Sequence, residues 1–251
     1  SGNTGFSLAM VSIIKGYECI LAVSSKSSRD KIDMLRSMGA KVYICPAHVS
    51  ADDPRSYYQV AKRLHQETQN SIYINQYFND FNIKAHYATT GPEILRDVPD
   101  ITHFVAGLGT SGTLMGVGTY LREQKPDVQL FAVEPPSGEL VQGLRSLDDG
   151  YIPPVFEKWG GYDLLDGKRI VRPRESIQFT RRLADECGIF AGLSAGAALA
   201  GAVRVAERLP AGETATIVFI VSDSGWKYLS TGAWTDDLDE AAANADSIIY
   251  F

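Results

Sequence analysis

Short apolar runs alternate with longer amphipathic segments along the whole chain. Six runs are too short for helices and rich in valine and isoleucine, which predicts strands at 19–23, 41–45, 71–74, 103–106, 129–133 and 214–221. Helical spacing of apolar residues predicts helices at 28–38, 57–65 with Asp53 as N-cap, 176–187 ending at Gly188, and 197–209. This alternation is typical of an α/β fold with parallel sheets covered by helices.

Three loops combine glycine with small hydroxyl or amide side chains: SGNTG at 1–5, GLGTSGT at 107–113 and GLSAGA at 192–197. The second follows a predicted strand and precedes a small-residue helix. Backbone N–H groups and the helix dipole converge at such a place, so the ligand we expect is a phosphate. A strand-to-helix turn needs glycine for steric reasons alone, so each loop is weak evidence by itself. Three together in one α/β chain indicate a ligand site.

The second loop also satisfies the dinucleotide fingerprint, with its glycines at Gly107, Gly109 and Gly112. Glu134 lies 134 − 112 = 22 residues beyond the last of them, so a nicotinamide-dependent oxidoreductase is one interpretation. The loop adds three hydroxyl donors, on Thr110, Ser111 and Thr113. Three hydroxyls suit a terminal phosphate monoester better than a bridging pyrophosphate.

Other classes of enzyme fit the motifs poorly. The P-loop pattern is missing from the sequence, which argues against nucleoside triphosphate binding. Residues 192–196 match G-x-S-x-G by letters, but all four histidines precede Ser194, whereas an α/β-hydrolase needs one after its serine. The histidines are also too scattered to predict a zinc site, and we expect no metal.

The composition of the chain argues against some classes of partner and favours one cellular compartment. The formal net charge of −6 leaves no basic footprint for nucleic acid or anionic membranes. Cys19, Cys45 and Cys187 lack C-x-x-C spacing, which favours a reducing cytoplasm. No apolar run approaches the ~18 residues of a membrane-spanning helix. The sequence begins with a serine inside a turn-forming stretch, so we expect it to be incomplete at its N-terminus.

With SGNTG, GLGTSGT, GLSAGA and SDSGWKYLSTG at 222–232, the chain resembles the fold-type II pyridoxal-phosphate enzymes of the cysteine synthase and cystathionine β-synthase family. The resemblance covers essentially the whole chain, in matching order. It implies pyridoxal 5'-phosphate as cofactor and a two-lobed fold. Residues 1–82 would form a smaller, mobile substrate-binding lobe that is incomplete at its N-terminus, and residues 83–251 a larger lobe that binds the cofactor.

The resemblance also assigns roles by position. It implies that Asn3 bonds the oxygen on the cofactor ring and that Ser194 faces the ring nitrogen. The phosphate cup would be formed by Gly109, Thr110, Ser111, Gly112 and Thr113. The substrate carboxylate would be held by Ser1, Gly2, Thr4 and Gln76.

Ser194 bears on the mechanism because a neutral hydroxyl favours an unprotonated ring and weak electron withdrawal. Weak withdrawal suits β-elimination better than transamination or racemisation. Asp223 is the rival partner of the ring nitrogen, although a strand-end acid or helix cap is its more ordinary role.

The family reaction starts from a lysine Schiff base. The family places that lysine in a P-x-x-S-x-K stretch roughly thirty residues before SGNTG, which lies outside this sequence. None of the ten lysines matches that stretch, and for Lys227 we expect a structural or surface role. The sequence thus predicts no catalytic residue of its own, and a noncatalytic binding protein is an alternative from another class.

The substrate implied by the resemblance is an activated serine, O-acetylserine or O-phosphoserine, with sulfide giving L-cysteine. Residues 52–64 and 75–94 look more like cystathionine β-synthase, which joins serine and homocysteine, whereas 188–197 and 222–234 resemble bacterial cysteine synthases. Arg145 matches an arginine of the branch that uses O-phosphoserine, where it can pair with the substrate phosphate. Family members are commonly dimers, so we expect a cytoplasmic homodimer. An apolar tail, Tyr250 and Phe251, is a candidate for the subunit interface.

Overall fold

The computed structural model describes residues 2–247, and for 245–247 the backbone alone. The described chain divides into two compact units, one formed by residues 2–74 and 223–247 and the other by 75–222. We call them unit 1 and unit 2. The predicted lobes, 1–82 and 83–251, divide the chain at a different place and do not return its last segment to the first unit. Tyr250 and Phe251 lie outside the described residues.

Unit 1 is built on a two-stranded parallel sheet. Its helices and strands are α1 (Gly2–Lys15), β1 (Ile20–Ser24), α2 (Arg29–Ser37), β2 (Lys41–Cys45), α3 (Tyr57–Glu67) and α10 (Leu238–Ser247). Strand β1 pairs with β2 in register, and a core around Val23, Ile32 and Leu35 lies between the sheet and the helices.

The last segment of the chain belongs to unit 1 because it is bonded to α2. A 3-10 helix, Gly225–Thr231, supplies these contacts. Ser28 caps α2 and donates its hydroxyl to the carbonyl oxygen of Lys227 at 2.5 Å. The carboxylate of Asp30 accepts from the backbone N–H and the hydroxyl of Ser230 at 2.9 and 2.7 Å.

Unit 2 holds a four-stranded parallel sheet in the order β5-β4-β3-β6. Its elements are α4 (Phe81–Ala88), α5 (Thr90–Asp97), β3 (His103–Gly107), α6 (Gly112–Gln124), β4 (Gln129–Glu134), α7 (Pro154–Lys158), β5 (Gly167–Ile170), α8 (Pro173–Cys187), α9 (Leu193–Ala206) and β6 (Ile217–Phe219), with 3-10 helices at Leu147–Asp149 and Gly161–Leu164. The predicted α/β class with parallel sheets covered by helices is confirmed.

The two faces of this sheet are covered by different helices because strand side chains alternate in direction. Phe104 and Leu130 point to a core that includes residues of α4 and α6. Val105 and Val133 point to the opposite core, which includes the alanines of α9. Both central strands are therefore buried on both faces, as continuous apolar runs predict for a parallel sheet.

Helix α8 ends as its sequence predicts. Gly188 adopts the left-handed conformation with φ +67°, and its N–H bonds the carbonyl oxygen of Ala184 at 3.0 Å. The bond from Gly188 to Ala184 is that of the αL type of C-terminus, and the N–H of Ile189 also donates to the carbonyl oxygen of Leu183 at 2.9 Å.

Three local predictions are wrong, and each has a physical reason. Residues 71–74 form no strand among the described residues, because Ile72 is 79% exposed and has no sheet to cover it. The N-cap of α3 is Ser56 rather than Asp53, whose carboxylate instead accepts from Arg55. Strand β5 was not predicted, because GKRI is polar and lies at the sheet edge.

The contact between α8 and α9 predicts a large effect of one methyl group. A Cβ on Gly196 would overlap the hydroxyl of Thr180 and the carbonyl oxygen of Ser176. We expect Gly196→Ala to lower the free energy of unfolding by about 1–3 kcal/mol or more, measured by urea denaturation. The matched control is Gly118→Ala in α6, where the nearest atom is the flexible end of Leu130 at 3.2 Å. Equal losses in the two variants would contradict the role of this close approach.

Candidate functional site

The glycines in the loop between β3 and α6 are required by packing. A Cβ on Gly109 would lie 2.8 Å from the carbonyl oxygen of Gly143, and a Cβ on Gly112 would overlap the side chain of Asn82. The steric reason for glycine therefore holds here. The groups of this loop that can bind a ligand are therefore its hydroxyls and its backbone N–H groups.

Ser111 is the residue of this loop that most clearly calls for a ligand. It is the N-cap of α6 and adopts the left-handed conformation with φ +72°, yet its side chain caps no backbone N–H. Its Oγ is buried and has no hydrogen-bond partner among the described residues. An unsatisfied buried hydroxyl costs about 1–3 kcal/mol, and the oxygen of a bound anion would supply the partner. The N-terminal N–H groups of α6 add donors for the same anion, so the residues present fit a phosphate.

The other two hydroxyls of the loop are held by α4. Asn82 Nδ2 donates to Thr110 Oγ1 at 2.9 Å and to the carbonyl oxygen of Gln76 at 2.8 Å. Thr113 Oγ1 lies 3.2 Å from His86 Nε2, and burial lowers the pKa of that imidazole. Sequence reasoning missed Asn82 and His86. Their four-residue spacing, which places both on one face of a helix, was the only signal.

Arg145 lies beside the same loop. Its backbone N–H donates to the carbonyl oxygen of Leu108 at 2.8 Å. Its guanidinium carbon is 5.1 Å from the ring centroid of Tyr77 and 4.8 Å from that of Tyr151, and Nη2 donates to the Tyr77 hydroxyl at 3.2 Å. Two aromatic rings therefore hold the guanidinium by cation–π contacts.

Ser194 lies in the first turn of α9 and is buried. A Cβ on Gly143, which has φ +94°, would lie 3.6 Å from Ser194 Oγ. Because the carbonyl oxygen of Gly143 also approaches Gly109, the 143–145 segment adjoins both the loop at 107–113 and Ser194. Unit 2 thus brings together most of the residues assigned to the cofactor, with Gln76 and Arg145.

The SGNTG residues form the start of α1 in unit 1. Gly2, Asn3 and Thr4 occupy its first turn, and Ser1 lies outside the described residues. A Cβ on Gly2 would lie 2.5 Å from Cδ of Lys31. Glycine at this position therefore lets the Lys31 side chain lie against the start of the helix.

Asn3 belongs to a cluster of charged groups around Asp223. Asp223 Oδ2 accepts from Asn3 Nδ2 at 2.8 Å and from the Tyr228 hydroxyl at 2.8 Å, and it lies 3.6 Å from Lys31 Nζ. Burial lowers the pKa of Lys31 to about 8, although Asp223 opposes this shift. Burial and Asp223 raise the pKa of Tyr228 well above its usual value. Lys227 is half-buried and donates from Nζ to Asn3 Oδ1 at 3.0 Å, a contact that its sequence position does not predict.

Glu134 does not support the dinucleotide interpretation. It is fully buried, its Oε1 pairs with Lys168 Nζ at 2.6 Å, and its Oε2 accepts from the N–H of Leu147 at 3.0 Å. A carboxylate that is fully buried and paired with a lysine is not exposed to a ribose hydroxyl.

Neither a candidate metal site nor a membrane-spanning helix occurs within residues 2–247. No three histidine, cysteine, aspartate or glutamate side chains within them lie close enough together to hold a metal ion. No helix of this part of the chain is long and apolar enough to cross a membrane. All three cysteines are free thiols.

The sequence profile of one family, described as pyridoxal-phosphate dependent enzyme, matches residues 1–223. The chain therefore belongs to this family of enzymes that use pyridoxal phosphate. The predicted cofactor and the predicted family are confirmed.

Similar proteins indicate the branch of the family to which the chain belongs. Cysteine synthase B of Pseudomonas aeruginosa is 37% identical over 237 residues, which cover 93% of this chain and 75% of the relative. Cystathionine beta-synthase of Oryctolagus cuniculus is 36% identical over 240 residues, covering 92% of this chain and 43% of the relative. The crystal structure of an O-ureido-L-serine synthase has a TM-score of 0.83 at 32% identity, covering 94% of this chain and 75% of that one. The chain lies in the fold-type II branch that includes cysteine synthases and cystathionine β-synthases.

The burial of His86 predicts a dependence of stability on pH. Its folded pKa lies below the unfolded value of 6.5, so the unfolded chain binds more protons in this range and the free energy of unfolding decreases as pH falls. His86→Gln removes this titration, and we expect the loss of stability between about pH 7.5 and about pH 5 to be smaller in the variant. Urea denaturation at several pH values measures it. The matched control is His65→Gln at an exposed position of α3, and an equal change there would contradict the prediction.

Proposed function

We propose that the protein catalyses a pyridoxal-phosphate-dependent β-replacement, in which sulfide displaces the β-substituent of O-acetylserine or O-phosphoserine to give L-cysteine. The observation that carries the proposal is the buried, unpaired Ser111 hydroxyl at the start of α6, beside Arg145, in a member of this family. The Ser111 hydroxyl fits the phosphate of the cofactor, and the Arg145 guanidinium fits a second phosphate on the substrate.

The chain's own residues would hold the cofactor at three points. The phosphate binds at the start of α6, where the residues are Gly109, Thr110, Ser111, Gly112 and Thr113. Asn3 donates a hydrogen bond to the ring oxygen. Ser194 offers its neutral hydroxyl to the ring nitrogen.

When bound, the cofactor withdraws electrons from the α-carbon of the amino acid. A neutral Ser194 leaves the ring nitrogen unprotonated, so withdrawal is weak and loss of the β-substituent is favoured over reactions that keep charge on the α-carbon. Asp223 is the rival partner of that nitrogen. Its Oδ2 accepts from Asn3 and Tyr228 and faces Lys31, whereas its Oδ1 is buried and has no hydrogen-bond partner among the described residues.

The amino-acid substrate would be held at both ends. Its carboxylate binds the start of α1 and the segment before α4, through Ser1, Gly2, Thr4 and Gln76. Arg145 pairs with the phosphate of O-phosphoserine through two parallel N–H donors. The two tyrosine rings that flank its guanidinium limit the orientations that it can adopt.

Cystathionine synthesis from serine and homocysteine is a second candidate, supported by the rabbit relative. Production of cystathionine, with no cysteine formed from sulfide, would favour it over the first proposal. A noncatalytic binding protein is the alternative from another class. It requires that the protein bind pyridoxal phosphate or a partner without any turnover.

We further propose that the protein works as a cytoplasmic homodimer on small-molecule substrates, with no nucleic-acid or membrane partner. The three free thiols are compatible with a reducing compartment. Light scattering of the purified protein measures the oligomeric state.

The lysine that forms the Schiff base is proposed to lie before Ser1 in the gene product. Reduction of the full-length holoenzyme with borohydride, followed by peptide mass spectrometry, should place the pyridoxyl group on a lysine encoded upstream. Labelling of Lys31 or Lys227 instead would contradict this assignment. Both lysines lie near the start of α1 in unit 1, so the labelled peptide distinguishes an upstream lysine from either of them. A fully unlabelled holoenzyme would favour the noncatalytic alternative.

Arg145→Ala tests the choice of substrate. We expect kcat/KM for O-phosphoserine to fall about 100-fold, since a charge-assisted pair is lost, and kcat/KM for O-acetylserine to change less than about threefold. Steady-state cysteine formation from each substrate with sulfide measures both. Arg182→Ala is the matched control, because Arg182 pairs with Glu186 on the exposed face of α8. Equal losses on the two substrates would assign Arg145 a structural role.

A further inference from the structure

The side chain of Asn3 lies between opposite charges in unit 1. Its Nδ2 donates to Asp223 Oδ2 at 2.8 Å, and its Oδ1 accepts from Lys227 Nζ at 3.0 Å. The two charged residues lie four positions apart, at the start of the segment that returns to α2. They are more than 200 residues from Asn3 in sequence.

This arrangement gives the carboxamide a single favourable orientation. Turning it by 180° would place Oδ1 against the carboxylate of Asp223 and the NH2 group against the ammonium of Lys227. Both hydrogen bonds would then become repulsive contacts between like partners. Two hydroxyl neighbours would not impose this preference, because a hydroxyl can both donate and accept.

The fixed orientation leaves one donor free. An amide NH2 carries two hydrogens, and the bond to Asp223 uses one of them. Lys227 holds Oδ1 on the opposite side of the carboxamide, and the hydrogen that Asn3 can offer to a ligand is the second one on Nδ2. An oxygen that is ionised, or that carries lone pairs, is the partner for such a donor.

The charges of Asp223 and Lys227 are held in place by their own contacts. Tyr228 donates to the same carboxylate oxygen as Asn3, and Lys31 lies 3.6 Å away as a counter-ion. Lys227 is held through its backbone, whose carbonyl oxygen accepts from Ser28 on α2 at 2.5 Å. The cluster therefore joins the start of α1, α2 and the last segment around one carboxamide.

We propose that Asp223 and Lys227 are positioning residues that fix the Asn3 carboxamide with its second Nδ2 hydrogen available to donate to the ring oxygen of the cofactor. The inference rests on the proposed role of Asn3. Donation to that oxygen favours its ionised form, which absorbs at longer wavelength than the protonated form. Loss of the orientation should therefore change the spectrum of the bound cofactor as well as its affinity.

Lys227→Met and Asp223→Asn in the full-length holoenzyme test the inference. We expect each to weaken cofactor binding about tenfold, and to raise by about one unit the pH at which the long-wavelength band is half lost on acidification. Lys227→Arg keeps the cation and should retain the parent spectrum. Lys41→Met, at an exposed lysine paired with Glu18, is the matched control in the same unit.

Spectra and affinities of Lys227→Met and Asp223→Asn that equal those of the parent would overturn the inference. So would an equal change in Lys41→Met, or a failure of Lys227→Arg to restore the parent spectrum. These outcomes differ from failure of the proposed function, in which the parent itself would bind no pyridoxal phosphate.

A measurement without cofactor keeps the inference testable in that case. The two Nδ2 protons of Asn3, assigned by their loss in Asn3→Ala, should give well-separated NMR signals in the parent. In Lys227→Met the separation should shrink. Signals that are unchanged would overturn the fixed orientation independently of any ligand.

Discussion

The arrangement of the candidate site in unit 2 depends on the close approach of two backbones, at Gly109 and Gly143. The gap between a notional Cβ on Gly109 and the carbonyl oxygen of Gly143 is only 2.8 Å, so a side chain there would push the 143–145 segment away. That segment carries Arg145 and lies against Ser194. Three groups from distant parts of the sequence thus share one steric requirement. Gly143 meets it with a left-handed backbone at φ +94°, a conformation that glycine adopts freely.

In unit 1 the candidate site residue Asn3 is held by charged groups, whereas in unit 2 the candidate site residues are held by close backbone packing. A single buried carboxylate, Asp223, accepts hydrogen bonds from Asn3 and Tyr228 and faces the ammonium of Lys31. Removing one member of such a cluster leaves another charge buried without a partner, which is costly in a medium of low dielectric constant. Stability and the geometry of Asn3 therefore have a common origin. Lys31 is only 6% exposed, and this burial lowers its pKa to about 8.

Elements whose position depends on a local pattern of residues could be predicted from the sequence. The central strands β3 and β4 were predictable because they are buried on both faces, and Gly188 was predictable because a helix end favours a left-handed residue. Strand β5 was not, since an edge strand needs few apolar residues, and 71–74 has strand composition without any partner strand among the described residues.

The candidate site also contains residues that local motifs identify and contacts that they do not. Motifs were enough to single out the loop at 107–113 and Ser194 as candidate site residues. The partners that hold them could not be recognised in this way, because Asn82 reaches Thr110 across 28 positions and Asn3 reaches Asp223 across 220. Such contacts follow from the tertiary fold, and no spacing rule in the sequence encodes them. The compact units differ from the predicted lobes because the last segment is bonded to Ser28 and Asp30 of unit 1, and these bonds are also made across long stretches of sequence.

Ser111 has a consequence for how long the folded protein survives in a cell. A left-handed backbone costs a non-glycine residue about 1–2 kcal/mol, and the buried hydroxyl adds its own desolvation cost. A glycine would avoid both costs, so the serine weakens the protein in the absence of a ligand. Any ligand that satisfies it shifts folding by mass action, in proportion to the logarithm of its free concentration. Under the proposed function that ligand is the cofactor, and its supply would help to set how much folded protein escapes degradation.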